Sequence, residues 1–213
     1  MTAKSQTLGE GRLGRVWISP VGGLYMSFVL RPKGLARPEL FTLTSSVAVV
    51  QGVRNTTGFE PTIRWPNDVM LNRKKLAGVI AQAQSLGKEL THVVVGIGVN
   101  CNAPVSETKI LKGEATSIVE ASGRNQDITA LRDSILDSFS NLYNEWSGGA
   151  DMARRWEAHL GIPKVVTVKL KISETPFSCI ARSVDGDGSL IVTKGRDTAV
   201  IRAEDLEWLR EES

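Results

Sequence analysis

Cysteine is scarce in this sequence, and long apolar runs are missing from it. The two cysteines, Cys101 and Cys179, lie far apart and fit neither a disulfide framework nor the spacing of metal ligands, so we expect two reduced thiols. The apolar run at residues 93–99 is far too short to cross a bilayer, and the first residues lack the apolar stretch of a signal peptide. We therefore expect a cytoplasmic protein that does not bind a membrane.

Charge of one sign is not concentrated in any part of the chain. The 26 Lys and Arg residues exceed the 23 Asp and Glu residues by three, and they are spread among the acids. The sequence also lacks a helix-turn-helix stretch and a basic recognition helix. We therefore expect no nucleic acid as a partner.

The 213 residues, of which 41% are hydrophobic, are enough to bury one medium-sized core. Apolar residues at intervals of three and four predict helices at residues 38–53, 127–146 and 152–159. Branched and aromatic runs predict strands at residues 24–30, 62–65, 69–71, 76–83 and 91–100. Residues 1–7 are predicted to be the end of a strand, because the glycine-rich segment that follows does not suit one. The nearly continuous apolar character of the last strand predicts that both its faces are buried.

The pattern of apolar and polar residues changes after Gly161 and Pro163, which we expect to form a hinge between two domains. Residues 164–202 alternate between apolar and polar positions, and turn sequences separate the later pairs of runs. This pattern predicts a small antiparallel barrel or sandwich.

The segment GEGRLGR at residues 9–15 combines three glycines with two arginines and is followed by Trp17. Glycines let backbone N–H groups approach an anion, and Arg12 and Arg15 offer planar charged groups for phosphate or carboxylate. A surface turn rich in Gly and Arg has the same composition, and the GK[ST] ending of a P-loop is lacking. Taken alone, the segment leaves both interpretations open.

Two further segments place polar side chains beside strands. Asn67 and Asp68 follow a proline between two strands, where they either serve a site or close the turn with their own side chains. Lys75 lies at the mouth of the strand that begins KLAG, where its ammonium group would bind a phosphoryl or acyl oxygen. A solvated lysine in a turn is the simpler alternative.

Together these segments, in this order and at these spacings, resemble the biotin–protein ligases. The resemblance extends to GGLY at residues 22–25, GIGVNCN at 96–102 and ATSI at 115–118, where a helix begins. It covers essentially the whole chain. It implies an enzyme that joins biotin and ATP into biotinyl-5′-adenylate, with Mg²⁺, and then transfers biotin to a lysine of a biotin carboxyl carrier protein domain.

The resemblance also implies roles for individual residues. Lys75, Arg12 and Asp68 match catalytic positions, with Lys75 beside the reacting carboxylate and phosphate. Gln6 matches the glutamine that contacts the biotin head group, and Trp17 matches an aromatic wall for the adenylate. The remaining positions implied to bind biotin or the adenylate are Glu10, Gly11, Arg15, Gly22, Gly23, Leu24, Asn67, Gly98 and Asn100. An acid facing a phosphate is unfavourable, so we expect the Glu10 side chain to turn to solvent.

The implied fold is α+β, like that of class II aminoacyl-tRNA synthetases and biotin ligases. A mixed sheet with helices would occupy residues 1–162, and an SH3-like barrel would occupy 163–213. The family pattern has a strand, a helix and a Ser-Thr motif before the glutamine, whereas only MTAKS precedes Gln6 here, so we expect part of the biotin pocket to be open. The exposed sheet edge suggests a homodimer. Lipoate or octanoate ligation, or binding of biotin or the carrier without catalysis, are the alternative functions.

Overall fold

The computed structural model describes residues 1–32, 38–86, 89–106, 108 and 113–212. Within these ranges the chain forms two antiparallel sheets and four α-helices. The helices are α1 (Pro38–Thr57), α2 (Ile118–Ser122), α3 (Ile128–Ser147) and α4 (Ala153–Leu160). None of the helices in the described ranges is long and apolar enough to span a membrane.

The first sheet contains, among the described residues, six strands in the order β1-β2-β6-β5-β4-β3. Their bounds are Thr2–Ala3 for β1, Leu24–Leu30 for β2, Thr62–Arg64 for β3, Asp68–Leu71 for β4, Lys74–Leu86 for β5 and Glu89–Val99 for β6. The ladders between them are antiparallel, so the expected mixed sheet is wrong. The reason is that β3 to β6 follow one another through connections too short for a parallel crossover.

The second sheet contains, again among the described residues, five antiparallel strands in the order β10-β9-β8-β7-β11. They are β7 (Lys164–Leu170), β8 (Phe177–Val184), β9 (Leu190–Lys194), β10 (Asp197–Ile201) and β11 (Leu206–Glu211). The prediction of an antiparallel unit after residue 163 is confirmed. Strand β11 lies beyond the predicted range and pairs with β7 after a 3-10 turn at Ala203–Asp205.

The central strand β6 alternates between buried and half-buried residues. Its buried side chains are Val93, Val95, Ile97 and Val99, each at most 3% exposed. They belong to the core into which helix α1 packs. Gly96 and Gly98 lie on the opposite, half-buried face. The prediction that both faces are buried is therefore wrong, because the second face opens into a cavity.

Short side chains cap the helices that follow this strand. The Asp127 carboxylate accepts hydrogen bonds from the N–H groups of Thr129 and Ala130 at the start of α3. Helix α2 begins at the ATSI segment, as predicted, and Ser117 caps it. Cys101 and Cys179 are free and buried.

Glu120 ties the chain at Ser106 to the first turn of α2. Its carboxylate accepts hydrogen bonds from the Ser106 N–H at 3.0 Å and from Ser117 Oγ at 2.8 Å. Burial raises the pKa of Glu120, but these hydrogen bonds outweigh burial and lower the pKa from 4.5 to about 2.

We expect Glu120→Gln to lower the free energy of unfolding at pH 7 by about 1–2 kcal/mol. A carboxylate with a lowered pKa contributes stability that is complete above its unfolded pKa and disappears as pH falls through its folded pKa. The difference between the wild type and Glu120→Gln should therefore shrink from pH 4.5 towards pH 2. Urea unfolding across this pH range measures it, and a difference independent of pH would contradict the assignment.

Candidate active site

A cavity of about 480 Å³ lies on the open face of the first sheet. This volume is within the range of small-molecule sites. Most of the predicted site residues line it: Gln6, Glu10, Gly11, Arg12, Arg15, Trp17, Asn67, Asp68, Lys75, Gly98 and Asn100. Side chains separated by up to 94 positions in the sequence are thus brought to one cavity by the β2, β5 and β6 strands and the loop before β2.

Gly22, Gly23 and Leu24 do not line this cavity, contrary to the prediction. Leu24 is 2% exposed and belongs to the hydrophobic core. A Cβ atom at Gly23 would lie 2.1 Å from the hydroxyl oxygen of Tyr25, which does line the cavity. The Tyr25 hydroxyl donates to the Pro20 carbonyl at 2.7 Å. The glycine segment therefore shapes the wall indirectly, by leaving space for Tyr25.

Two glycines form the floor on which Trp17 lies. Gly78 and Gly98 face each other across the β5–β6 ladder. A Cβ atom would lie 2.5 Å from Trp17 Nε1 if added to Gly98, and 3.1 Å from Trp17 Cζ3 if added to Gly78. Within the described part of the chain, the buried Nε1 has no hydrogen-bond partner. The indole ring can rest on the sheet only because both positions lack a side chain.

Asp68 binds two cations, one with each carboxylate oxygen. Lys75 Nζ lies 2.5 Å from Oδ1, and Arg64 Nη2 lies 2.7 Å from Oδ2. Burial raises the pKa of Asp68, but the charges of Lys75 and Arg64 outweigh burial, and the net pKa is below 3.8. Lys75 Nζ also lies 5.3 Å from the centre of the Trp17 ring. Asp68 is therefore an ionised carboxylate that directs Lys75 into the cavity.

The backbone around Lys75 is fixed by a second segment of chain. Its N–H donates to the Glu114 carbonyl at 2.8 Å, and its carbonyl accepts from the Thr116 N–H at 3.0 Å. Asn100 Nδ2 donates to the Thr116 carbonyl at 3.0 Å and so holds that segment to the end of β6. Because its side chain is 29% exposed and paired with Asp68, Lys75 is not a solvated lysine in a turn.

Asn67 does not simply close its own turn. Its Nδ2 donates to the Val79 carbonyl on β5 at 3.0 Å, and its side chain is buried. Its Oδ1 accepts from Arg12 Nη1 at 3.4 Å. Asn67 thus connects the β3–β4 turn to β5 and to the segment GEGRLGR at residues 9–15, which we call the Gly/Arg loop.

The Gly/Arg loop is held to the C-terminal segment, which sequence reasoning did not place at the site. Arg12 Nη2 donates to the Ala203 carbonyl at 2.6 Å, and Arg15 Nη2 donates to the Glu207 carbonyl at 3.1 Å. The cavity lining includes Leu206, Glu207, Trp208 and Leu209. The alternation in LEWLREE could have predicted strand β11, but no local signal indicates that it approaches residue 12.

Two further predicted site residues are Gln6, which precedes the Gly/Arg loop, and Glu10, which lies within it. Gln6 Oε1 accepts a hydrogen bond from Ser19 Oγ at 2.7 Å, which orients the amide beside the cavity. Glu10 is exposed and also lines the cavity, so the orientation of its side chain away from a bound phosphate stays a prediction. The described residues contain no group of three or more His, Cys, Asp or Glu side chains placed to hold a metal ion.

Comparisons with known proteins show what the chain is similar to. The model of the biotin/lipoate A/B protein ligase family matches residues 1–100. The bifunctional ligase/repressor BirA of Bacillus subtilis is 33% identical over 213 residues, which cover 97% of this chain and 65% of that protein. The biotin–[acetyl-CoA-carboxylase] ligase of Paracoccus denitrificans is 29% identical over 216 residues, covering 96% of this chain and 88% of that protein.

A solved structure gives the same result for the fold. The biotin protein ligase from Aquifex aeolicus in complex with biotin and ATP matches with a TM-score of 0.85 at 25% identity, covering 99% of this chain and 88% of that one. This likeness extends over both sheets, whereas the family model covers only the first 100 residues. By sequence and by fold, the chain is thus similar to members of the biotin/lipoate A/B protein ligase family, and it spans 65% of the length of the Bacillus relative.

Proposed function

We propose that this chain is a biotin–protein ligase, which activates biotin with ATP and attaches it to a lysine of a biotin carboxyl carrier protein domain. The observation that carries the proposal is the convergence of Lys75, Asp68 and Arg12 on one cavity of suitable size. The names of the Bacillus and Paracoccus relatives support the choice of reaction, and the bound biotin and ATP of the Aquifex protein support the choice of substrates.

In the first step, a biotin carboxylate oxygen forms a bond to the α-phosphorus of ATP, and the bond to the departing pyrophosphate breaks. The difficulty is repulsion between the carboxylate and the triphosphate. Lys75 and the two loop arginines supply positive charge where these anions meet. Magnesium would enter with ATP, bound mainly by the phosphates, as its preference for phosphate oxygens and water allows.

In the second step, the lysine nitrogen of the carrier attacks the biotinyl carbonyl carbon, and the bond to AMP breaks. The nitrogen loses a proton in forming the amide. The mixed anhydride is sensitive to water, so residues 9–17 would serve as a lid that excludes it. Gln6 would contact the biotin head group, and Trp17 would wall the adenylate from its place on the floor formed by Gly78 and Gly98.

We also propose two domains, with residues 1–162 as the catalytic domain and 163–213 as an SH3-like cap. The separate five-stranded antiparallel sheet supports this division. A cytoplasmic location, a homodimer and the lack of a nucleic-acid partner remain further proposals.

We expect the protein, given radiolabelled biotin, ATP, magnesium and a carrier domain, to label the carrier and release pyrophosphate. A carrier whose acceptor lysine is replaced by alanine is the control and should stay unlabelled. Incorporation of lipoate but not biotin would make the chain a lipoate ligase instead. Biotin binding in a calorimeter without pyrophosphate release would favour a non-catalytic binding protein.

A further inference from the structure

Arg64 is a charged residue that lines the cavity beside Asp68. It is the last residue of β3 and lies directly opposite Asp68 in the β3–β4 ladder. Its Nη2 and Nε lie 2.7 and 3.3 Å from the same oxygen, Oδ2 of Asp68. Both side chains are mostly buried, with 27% of Arg64 and 17% of Asp68 exposed. The pair is therefore better shielded than an exposed surface salt bridge.

The two cations on Asp68 differ in how firmly they can be held. Lys75 contacts Oδ1 through a flexible side chain with a single charged atom. Arg64 contacts Oδ2 through two nitrogens of a planar group. Lys75 can thus turn towards an anion in the cavity while Asp68 keeps a partner. A buried carboxylate that lost its only partner would be strongly destabilised.

One other cation lies near Asp68 among the described residues. Arg12 on the Gly/Arg loop interacts electrostatically with it, but the Arg12 guanidinium is hydrogen-bonded to Asn67 and to the Ala203 carbonyl. The groups that face Asp68 are thus Arg64 on β3, Lys75 on β5 and Arg12 on the loop. Of the three, Lys75 and Arg12 are proposed to contact the reacting anions, and Arg64 is not.

We propose that Arg64 is a positioning residue, which anchors Asp68 through Oδ2 and so leaves Oδ1 to aim Lys75 at the reacting phosphate. This inference rests on the proposed ligase function. The simpler alternative is that Arg64 only closes the β3–β4 hairpin. A cross-strand charge pair would then affect stability and leave the pH dependence of the reaction unchanged.

The test compares Arg64→Met and Arg64→Lys with Arg54→Met as the matched control. Arg54 forms an exposed salt bridge with Glu60, so the control removes the same charge away from the cavity. Loss of Arg64 removes a cation from Asp68, so the pKa of Asp68 should rise. The acidic limb of the pH profile of pyrophosphate release should therefore move upwards by about one unit in Arg64→Met. Arg64→Lys should restore part of the shift, and Arg54→Met should show none.

A second measurement needs no turnover. Carbon-13 NMR of protein labelled at its aspartate carboxyls, with the Asp68 signal assigned by Asp68→Asn, should show a higher titration midpoint in Arg64→Met than in the wild type. An unchanged midpoint, or an unchanged pH profile together with a lower melting temperature, would overturn the proposal. A wild type that releases no pyrophosphate at any pH would instead refute the ligase function, and the NMR titration would still decide whether Arg64 controls Asp68.

Discussion

Lys75→Ala is expected to slow pyrophosphate release by about 10²- to 10³-fold, the usual effect of losing one group that stabilises developing charge. The ammonium group of Lys75 is held at the cavity by Asp68 and by a backbone fixed on both sides. Folding should suffer little, because the side chain is 29% exposed and Asp68 keeps its contact with Arg64. Arg12→Ala should also reduce adenylate formation much more than stability.

The control for this prediction is Lys74→Ala, which removes the same charge from the neighbouring, exposed position of β5. Its rate and melting temperature should stay close to those of the wild type. Single-turnover release of pyrophosphate and thermal unfolding measure the two effects separately. Parallel losses of rate and melting temperature in Lys75→Ala would argue against a catalytic role.

Gly98→Ala is expected to weaken substrate binding by about 10- to 100-fold, the equivalent of roughly 1–3 kcal/mol for inserting a methyl group into a filled space. The new Cβ atom would lie 2.5 Å from Trp17 Nε1 and 2.7 Å from Cε2, so the indole ring must leave its floor. Because Trp17 belongs to the loop, the ring can move without unfolding the sheet, and the melting temperature should change little. KM values for biotin and ATP measure the effect.

A double-mutant cycle with Trp17→Ala tests the cause. If the clash with the indole is responsible, Gly98→Ala should add little to the effect of Trp17→Ala. Additive effects would mean that Gly98 acts on the ligand directly, by allowing close approach to its backbone, and not through Trp17.

Helices and strands whose apolar residues recur at regular intervals could be predicted from the sequence. Helix α3 was predicted to within a residue at each end, since its apolar stripe is regular and Asp127 caps it. The N-terminal strand was predicted over seven residues but pairs only at Thr2 and Ala3, because propensity does not indicate how far a neighbouring strand extends. Strand β6 was predicted to have two buried faces because Gly96 and Gly98 do not interrupt its apolar run in the sequence, although they lie on the half-buried face.

Residues that the sequence singled out within one segment do line the cavity, and their functional roles stay predictions. Lys75 and Asp68 were singled out separately, but their salt bridge depends on the register of β4 with β5. Arg64 was missed since it reads as an ordinary strand residue. The contact between Arg12 and Ala203 spans 191 positions, and no periodicity or spacing encodes such a distance. These gaps share one cause, since a pattern in the sequence describes neighbours along the chain and not across the fold.

The hydrogen bonds that Arg12 and Arg15 donate to the carbonyls of Ala203 and Glu207 have a thermodynamic consequence. Coupling between two parts of a molecule is reciprocal, so if an anion bound at residues 9–17 changes the free energy of docking residues 203–207, that docking changes the free energy of anion binding by the same amount. An anion that draws a guanidinium away takes a donor from a carbonyl nearly two hundred positions distant. Anion binding in the cavity and the docking of residues 203–207 would thus oppose each other.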